Sequence, residues 1–267
     1  MSPRLHDPTA PPDTVCADTP GPPWVSCITI ADLAPVLRRG CDDFRAHPLI
    51  GATVGAFYAL IGLLFVAVLQ DRSLLPLAVP LALGFALVGP FAAVGFYDIS
   101  RRREAGQPCG WRHLFRGYRS PDTAAVWTLG LVLASLFGGW LAVSAVMLNL
   151  HLDGLGSEGT PLALGHTAAG WSLVAFGVGV GGMIAGLAFA LSVVAFPLIL
   201  DRHVDALTAA AISIRAVVSN PGPMAGWAVL VAALLALGML PAFAGLIVVM
   251  PILGHATWHL YRRTILH

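Results

Sequence analysis

The chain has 267 residues, of which 57% are hydrophobic and only 11% are charged, and its mean hydropathy is +0.79. Soluble globular proteins carry about 25% charged residues, so this composition excludes a soluble globule and predicts an all-α, multi-pass membrane protein. All 15 basic residues are arginines and the net charge is +1, which provides no field for binding nucleic acid.

The first 28 residues are rich in proline, aspartate and threonine and lack the features of a cleavable signal peptide. We expect residues 1–28 to form a disordered tail, which leaves residues 29–264 as an integral membrane domain. The first long apolar run begins at Leu49. The helix that starts there is predicted to act as an uncleaved insertion signal.

Apolar runs that can cross a hydrocarbon core of roughly 30 Å need about 20 residues. Such runs lie near residues 49–69, 74–98, 123–149 and 169–199. A single helix over residues 223–263 would reach roughly 60 Å, about twice that thickness. We therefore predict two spans there, separated near Met239-Leu240-Pro241, and six spans in all. A single kinked helix with a surface tail, which gives five spans, is the alternative.

The placement of the arginines favours six spans. With both termini in the cytoplasm of a bacterium and the spans in its inner membrane, only Arg72 falls outside, and the outer loop 150–166 has acids but no arginine. Five spans would move Arg262 and Arg263 outside. The arginines placed inside are Arg38, Arg39, Arg45, Arg101, Arg102, Arg103, Arg112, Arg116, Arg119, Arg202, Arg215, Arg262 and Arg263.

The sequence also contains an internal repeat. The segment GFALVGPFAAVGFYDISRR at 84–102 returns as GLIVVMPILGHATWHLYRR at 245–263, with glycine, proline and paired arginines at the same offsets. A third, weaker copy ends at Arg202. We infer a three-fold repeat of helical hairpins, with units at about 30–102, 110–202 and 204–263.

Each unit begins with a short amphipathic segment and an X-Pro junction, where proline ends one helix and starts the next. These segments are predicted to lie in the membrane interface. Their apolar positions are Ile30, Leu33, Leu37, Cys41 and Phe44 in the first, Trp111, Leu114, Phe115 and Tyr118 in the second, and Leu207, Ala211, Ile214 and Val218 in the third. The junctions are His47-Pro48, Ser120-Pro121 and Asn220-Pro221.

Prolines and glycines inside the spans predict bends and close packing. Pro90, Pro197 and Pro251 are expected to kink the second, fourth and sixth spans, and a fixed bend is favoured over a gate. The small-residue spacing predicts helix packing within the bundle, with a dimer face as the alternative. The glycines in question are Gly177, Gly181, Gly182 and Gly186.

Four motifs carry a family resemblance: LRRGCDDFRAHPLIG, GFALVGPFAAVGFYDISRRREAG, AFPLILDRHVDALTAAAIS and MPILGHATWHLYRR. With them, residues 30–263 resemble the bacterial membrane-protein family catalogued as domain of unknown function 2189. The resemblance implies a membrane protein and supplies no activity, cofactor or site. The chain has Tyr97-Asp98 where the family pattern has Tyr-Glu, which keeps the carboxylate and shortens its reach.

The strongest candidate for site chemistry is the pair His255 and His259, which lie four residues apart on one helix face. Such a pair could supply two metal ligands. The side chains that could complete the site on the same membrane face are His47, His203 and Asp98. Anchoring of the helix in the headgroup layer beside Trp258 and Tyr261 is the favoured interpretation. We therefore predict no metal and no cofactor.

Recognisable enzyme chemistry is missing from the sequence. The spans contain too few histidines for a haem-copper oxidase, and the chain has no Walker loop, GxSxG elbow or HExxH motif. The four cysteines match no zinc or redox motif and are expected to stay reduced in the cytoplasm. We predict a protein that is not an enzyme and has no catalytic residues.

Two functions remain. The first is a non-enzymatic bundle that binds a partner membrane protein or lipid, for example during assembly of a membrane complex, with anionic lipid or an acidic partner at the loop 101–119. The alternative is a transporter or channel for a small, weakly polar solute. That alternative predicts a central cavity lined by Ser135, Ser144, Ser172 and Ser192. An enzyme acting through His255, His259 and Asp98 ranks third.

Overall fold

The computed structural model describes residues 25–68, 89–91, 93–116, 118, 123–151 and 167–266. Within these ranges the chain is all-helical, apart from an isolated antiparallel bridge between Val25 and Ile265. The elements, in chain order, are a 3-10 turn Ile30–Asp32, α1 Leu33–Ala46, α2 Pro48–Val68, α3 Val94–Glu104, α4 Trp111–Leu114, α5 Thr123–His151, α6 Ala168–Ser192, α7 Ala195–Arg202, α8 Ala206–Ser219, α9 Pro221–Met239 and α10 Leu246–Thr264.

Four helical segments of the described residues are long and apolar enough to cross a membrane, which confirms a membrane protein with several apolar helices. They are Pro48–Ala67, Thr123–Met147, Gly170–Arg202 and Pro221–Met239. The predicted second span lies mostly outside the described residues, and α10 is not among the four. The count of six spans therefore stays a prediction.

The region 223–263 forms a hairpin. Helix α9 ends at Met239 and α10 begins at Leu246, as the sequence predicts. The turn is tight, since a Cβ on Gly245 would lie 2.7 Å from the Cα of Gly238. The residue preceding α9 and the last residue of α10 both hydrogen-bond to residues 26–28, so the chain reverses direction. The alternative of a single kinked helix therefore does not describe this region.

The first and third amphipathic segments share their local geometry. Helices α1 and α8 each have 14 residues. Each ends at a residue followed by proline, with backbone angles φ −136°, ψ 57° at His47 and φ −131°, ψ 52° at Asn220. These angles lie outside the helical region, which the clash between proline and its preceding residue disfavours. The predicted junctions are confirmed at both places, and Ser120-Pro121 lies outside the described residues.

The two segments differ in what their apolar sides face. Helix α1 packs against α10, and its buried face runs through Leu33, Val36 and Gly40. The predicted apolar stripe of α8 is exposed, with Leu207 at 81%, because α8 packs its small residues against α6 and α7. A membrane-facing stripe therefore fits α8. For α1 that interpretation stays a prediction, because only Leu33 of its stripe is buried, Ile30 is 66% exposed, and Leu37, Cys41 and Phe44 are half-buried.

Pro197 coincides with a helix interruption. Helix α6 ends at Ser192 and α7 begins at Ala195, close to Val193, whose carbonyl a proline four residues later would meet. The N–H of Val194 donates to the Ser213 hydroxyl of α8 at 3.1 Å. A neighbouring helix thus accepts the N–H of Val194 at the point where the helix is interrupted. Pro251 lies inside the uninterrupted α10, and Pro90 lies in the helical stretch 89–91.

The closest helix approach uses glycines that the sequence analysis did not single out. A Cβ on Gly55 of α2 would lie 2.4 Å from the Ile247 carbonyl oxygen of α10, and one on Gly40 would lie 2.7 Å from the Ala256 nitrogen. By contrast, a Cβ on Gly177, Gly182 or Gly186 would meet nothing within 4 Å in the described structure. No described residue packs closely on those three glycines of α6, so the packing role and the alternative of a dimer face stay predictions.

One cysteine departs from expectation. Cys27 is disulfide-bonded, whereas Cys41 and Cys109 are free. Sequence spacing does not reveal such a bond, because a disulfide requires only that two Cβ atoms come within about 4.5 Å. The prediction of a reduced Cys27 is wrong for this reason.

Candidate functional site

Helices α3, α7 and α10 end close together at one end of the bundle. Arg262 of α10 donates from Nε to Glu104 Oε1 of α3 at 3.0 Å, and the Tyr261 hydroxyl donates to Asp201 Oδ2 of α7 at 2.6 Å. Six of the arginines described lie on these helix ends. We call this region the basic end.

A buried polar cluster joins α1, α3 and α10 at the basic end. Asp43 is only 2% exposed and receives three side chains: Ser100 Oγ at 2.6 Å and His259 Nε2 at 2.9 Å on Oδ2, and Arg103 on Oδ1. His255 Nδ1 lies 2.7 Å from Ser100 Oγ. We call these five residues the Asp43 cluster.

The direction of each hydrogen bond follows from the number of protons available. Ser100 has one hydroxyl proton, which it donates to Asp43, so its oxygen accepts the Nδ1–H of His255. An ionised carboxylate only accepts, so His259 donates from Nε2. The cluster is thus a chain of donors that converges on the Asp43 carboxylate.

Two opposing effects set the protonation of Asp43. Burial alone would raise its pKa, but the hydrogen bonds from His259 and Ser100, with the charges of the two histidines, lower the pKa to about 2. Asp43 is therefore ionised at neutral pH. The network stabilises the packing of α1 on α10.

The lowered pKa of Asp43 predicts a pH dependence of stability. Its stabilising contribution is complete above the ordinary value of 3.8 and is lost as the pH falls through the folded value of about 2. We expect the difference in thermal unfolding temperature between the wild type and Asp43→Asn to shrink between about pH 4 and pH 2. Circular dichroism of the detergent-solubilised proteins measures it. A difference that stays constant over this window would contradict the assignment.

The structure brings the predicted histidine pair together with residues other than those expected. His255 and His259 face Asp43, whereas Asp98 forms an ion pair with Arg101 at 2.6 Å. His203 is an exposed residue that ends α7 with a left-handed backbone, φ 54°. Among the described residues, no three His, Cys, Asp or Glu side chains are arranged to hold a metal ion. The metal site considered in the sequence, with His255 and His259 beside His47, His203 or Asp98, is therefore not formed by the described residues.

The sequence reasoning missed Asp43 and Ser100. The buried face of α1 runs through residues 33, 36, 40 and 43. The apolar stripe predicted from the sequence runs instead through residues 33, 37, 41 and 44. Gly40 is the residue of the sequence that could have indicated this buried face. It contacts Ala256, and Asp43 lies three residues later on the same covered face.

Acids at the helix ends form ion pairs with arginines. Asp98 pairs with Arg101 within α3, and Asp201 lies 3.7 Å from Arg202 and 3.8 Å from Arg262. The contact of Asp201 with Arg262 connects α7 to α10 at the basic end.

Five other arginines take part in no side-chain hydrogen bond or ion pair with another described residue, and we call them the unpaired arginines. They all lie on or beside the three amphipathic segments. They are Arg38 and Arg39 in α1, Arg112 and Arg116 at α4, and Arg215 in α8.

Two cavities adjoin these elements. A polar one of about 530 Å³ opens beside the Asp43 cluster and also contacts Arg39 and Glu104. An apolar one of about 540 Å³ lies among α3, α6, α9 and α10. Of the four serines predicted to line a central cavity, only Ser192 contacts it; Ser135, Ser144 and Ser172 do not.

The comparison with known proteins confirms the family resemblance. Residues 78–201 match the model of the family described as a predicted integral membrane protein, domain of unknown function 2189. The match is shorter than the 30–263 suggested by the motifs, and it includes α3 to α7. No curated protein and no solved structure shows significant similarity to the chain.

Proposed function

With residues 78–201 matching a family of integral membrane proteins, we propose that this protein is a non-enzymatic bundle whose basic end binds the headgroups of anionic phospholipids. The observation that carries the proposal is the division of the arginines into two groups. Paired arginines hold the helix ends together. Unpaired arginines lie on the amphipathic segments, where a phosphate group can be bound.

The surroundings of the unpaired arginines support a lipid as the ligand. At α4, Trp111 is 49% exposed and Phe115 is 59% exposed, and they alternate with Arg112 and Arg116. Aromatic rings beside arginines are typical of the headgroup layer, where the ring is half in hydrocarbon and the guanidinium meets phosphate. On α8, the exposed aliphatic side chains of Ile214 and Val218 lie beside Arg215.

A protein partner is the other ligand for the same arginines. The exposed apolar side chains are distributed over three separate segments, and this suits a bilayer surface better than one contiguous docking patch. Assembly of a membrane complex is therefore the less favoured form of this proposal.

Orientation and span number belong to the same proposal. The arginine distribution supports a cytoplasmic basic end, with both termini and the six-span arrangement that follow from it. The matching lengths and junction angles of α1 and α8 support a repeated unit. The disulfide bond at Cys27 argues against a cytoplasmic location of that residue, since stable disulfides favour oxidising compartments.

The apolar cavity favours the transporter as a second candidate. Its lining is almost entirely apolar, which suits a hydrocarbon-like solute and not the weakly polar one first expected. The Ser192 hydroxyl donates to the Ala188 carbonyl at 2.6 Å within its own helix. It is therefore not directed at a solute.

The lipid proposal predicts that Arg112→Gln with Arg116→Gln weakens binding of phosphatidylglycerol. Each arginine near an anionic surface contributes about 1 kcal/mol, so the double variant should lose roughly thirty-fold in affinity. Phosphatidylcholine binding should change little. Native mass spectrometry of the detergent-solubilised protein, titrated with each lipid, measures both.

The matched control is Arg45→Gln. Arg45 is also exposed, but it already pairs with Asp42 at 3.2 Å, so its loss should leave the lipid preference unchanged. A wild-type protein that binds both lipids equally, or a double variant that keeps its preference, would rule out the proposed headgroup site.

A further inference from the structure

We propose that the apolar cavity among α3, α6, α9 and α10 holds one acyl chain of a bound phospholipid. The inference rests on the proposed function, because the headgroup of that lipid would lie among the unpaired arginines. It adds a second binding site, for hydrocarbon, within the bundle.

The shape of the cavity suits a chain. Its lining extends from Gly182 to Ser192 along α6 and from Trp227 to Leu235 along α9. At 1.5 Å per residue these stretches are about 15 and 12 Å long. The cavity is therefore elongated along the helix axes, in the direction that acyl chains take in a bilayer.

The chemistry of the lining favours an apolar occupant, because the lining is almost entirely apolar. Ser192 and Thr257 both contact the cavity, but each hydroxyl donates to a carbonyl of its own helix, at 2.6 and 2.7 Å. A polar solute would lose its hydrogen bonds to water without replacement, which costs several kcal/mol. A hydrocarbon chain loses nothing and gains burial.

The width of the cavity comes from small residues. A Cβ on Gly182 or Gly186 would meet nothing within 4 Å in the described structure, although both glycines line the cavity. Val229 on the opposite side is 68% exposed. The cavity is thus open to the outer surface of the bundle between α6 and α9, where lipid has access.

The position of the cavity matches the depth of a chain. Helix α9 begins at the basic end, and Trp227 lies six residues, or about 9 Å, along it. The unpaired Arg215 lies on α8, which leads into α9. A phosphate held at Arg215 would therefore place its chains at the level of the cavity, and the positive charge complements an anionic phospholipid.

Tryptophan quenching provides a direct test. Trp227 and Trp258 are both 1% exposed, but only Trp227 lines the cavity. We expect phosphatidylglycerol with brominated acyl chains to quench a protein that retains only Trp227 and to leave one that retains only Trp258 unquenched. Equal quenching of the two would overturn the proposal. So would quenching of Trp227 by a brominated free fatty acid and not by the phospholipid.

A second measurement needs no tryptophan replacements. Gly186→Leu should fill the cavity, whereas Gly177→Leu makes the same change on the same helix away from it. Native mass spectrometry should show loss of one tightly retained phosphatidylglycerol in Gly186→Leu only. If Gly186→Leu keeps that lipid, the chain site is wrong while the headgroup site stands. If the wild type has no preference for anionic lipid, the proposed function fails first.

Discussion

Replacing Asp43 with alanine is expected to destabilise the protein by about 3–5 kcal/mol, as for other buried ion pairs that lose one partner. The change removes the acceptor for Ser100, Arg103 and His259 together. A buried donor left without a partner loses its hydration without compensation. Thermal unfolding in detergent, followed by circular dichroism, should show a large decrease in the midpoint.

The neighbouring residue provides the control. Asp42 pairs with Arg45 where both side chains are well exposed, and such surface pairs contribute only about 0–1 kcal/mol. Asp42→Ala should therefore unfold close to the wild type. Similar midpoints for Asp42→Ala and Asp43→Ala would show that the Asp43 cluster does not stabilise the bundle.

The double variant Asp43→Ala with Arg103→Ala distinguishes two contributions to stability. One is the attraction between the two charges, and the other is the cost of leaving Arg103 without its partner. Arg103 is partly exposed, so removing it after Asp43 should cost little more or restore some stability. Additive losses would instead mean that the two side chains act independently.

Local sequence rules predicted the parts of this fold that depend on neighbouring residues. The end of α9 near Met239 follows from the length limit on a span, and the ends of α1 and α8 follow from the clash before proline. The same rules gave the surface stripe of α8. Each of these features requires only residues within one or two helical turns.

The cluster around Asp43 could not be found in that way. Ser100 and His259 lie 57 and 216 positions from Asp43, and no spacing rule connects them. The same holds for the division of the arginines, because Arg262 and Arg112 look alike until Glu104 is seen beside Arg262. Contacts with residues of distant helices determine which arginines hold the helix ends together.

Glycine spacing shows the limit most clearly. The four glycines of α6 have the spacing typical of close helix packing, yet Gly186 lines a cavity. Gly51 and Gly55 of α2 have the same four-residue spacing and do face another helix. The pattern identifies a face that another backbone can approach, and only the fold determines whether one does.

Gly55 should therefore be among the least tolerant positions. A Cβ there would lie 2.4 Å from the carbonyl oxygen and 2.6 Å from the Cα of Ile247. Both atoms are backbone, so α10 must move as a whole. Overpacking typically costs about 1–3 kcal/mol even for one added carbon. Gly55→Ala should lower the unfolding midpoint clearly, and Gly55→Leu should prevent the folded protein from accumulating.

Gly139→Ala on α5 is the matched control, because a Cβ at that position meets nothing within 4 Å in the described structure. Alanine has the higher helix propensity, by about 1 kcal/mol in water, so this variant should be as stable as the wild type or slightly more so. The comparison separates the effect of the contact between α2 and α10 from the effect of helix propensity, since both changes add one methyl group to a helix. Equal midpoints for Gly55→Ala and Gly139→Ala would mean that α2 does not pack on α10 through Gly55. A lower midpoint for Gly55→Ala alone would place the tightest helix contact of the described bundle on the face formed by Gly51 and Gly55.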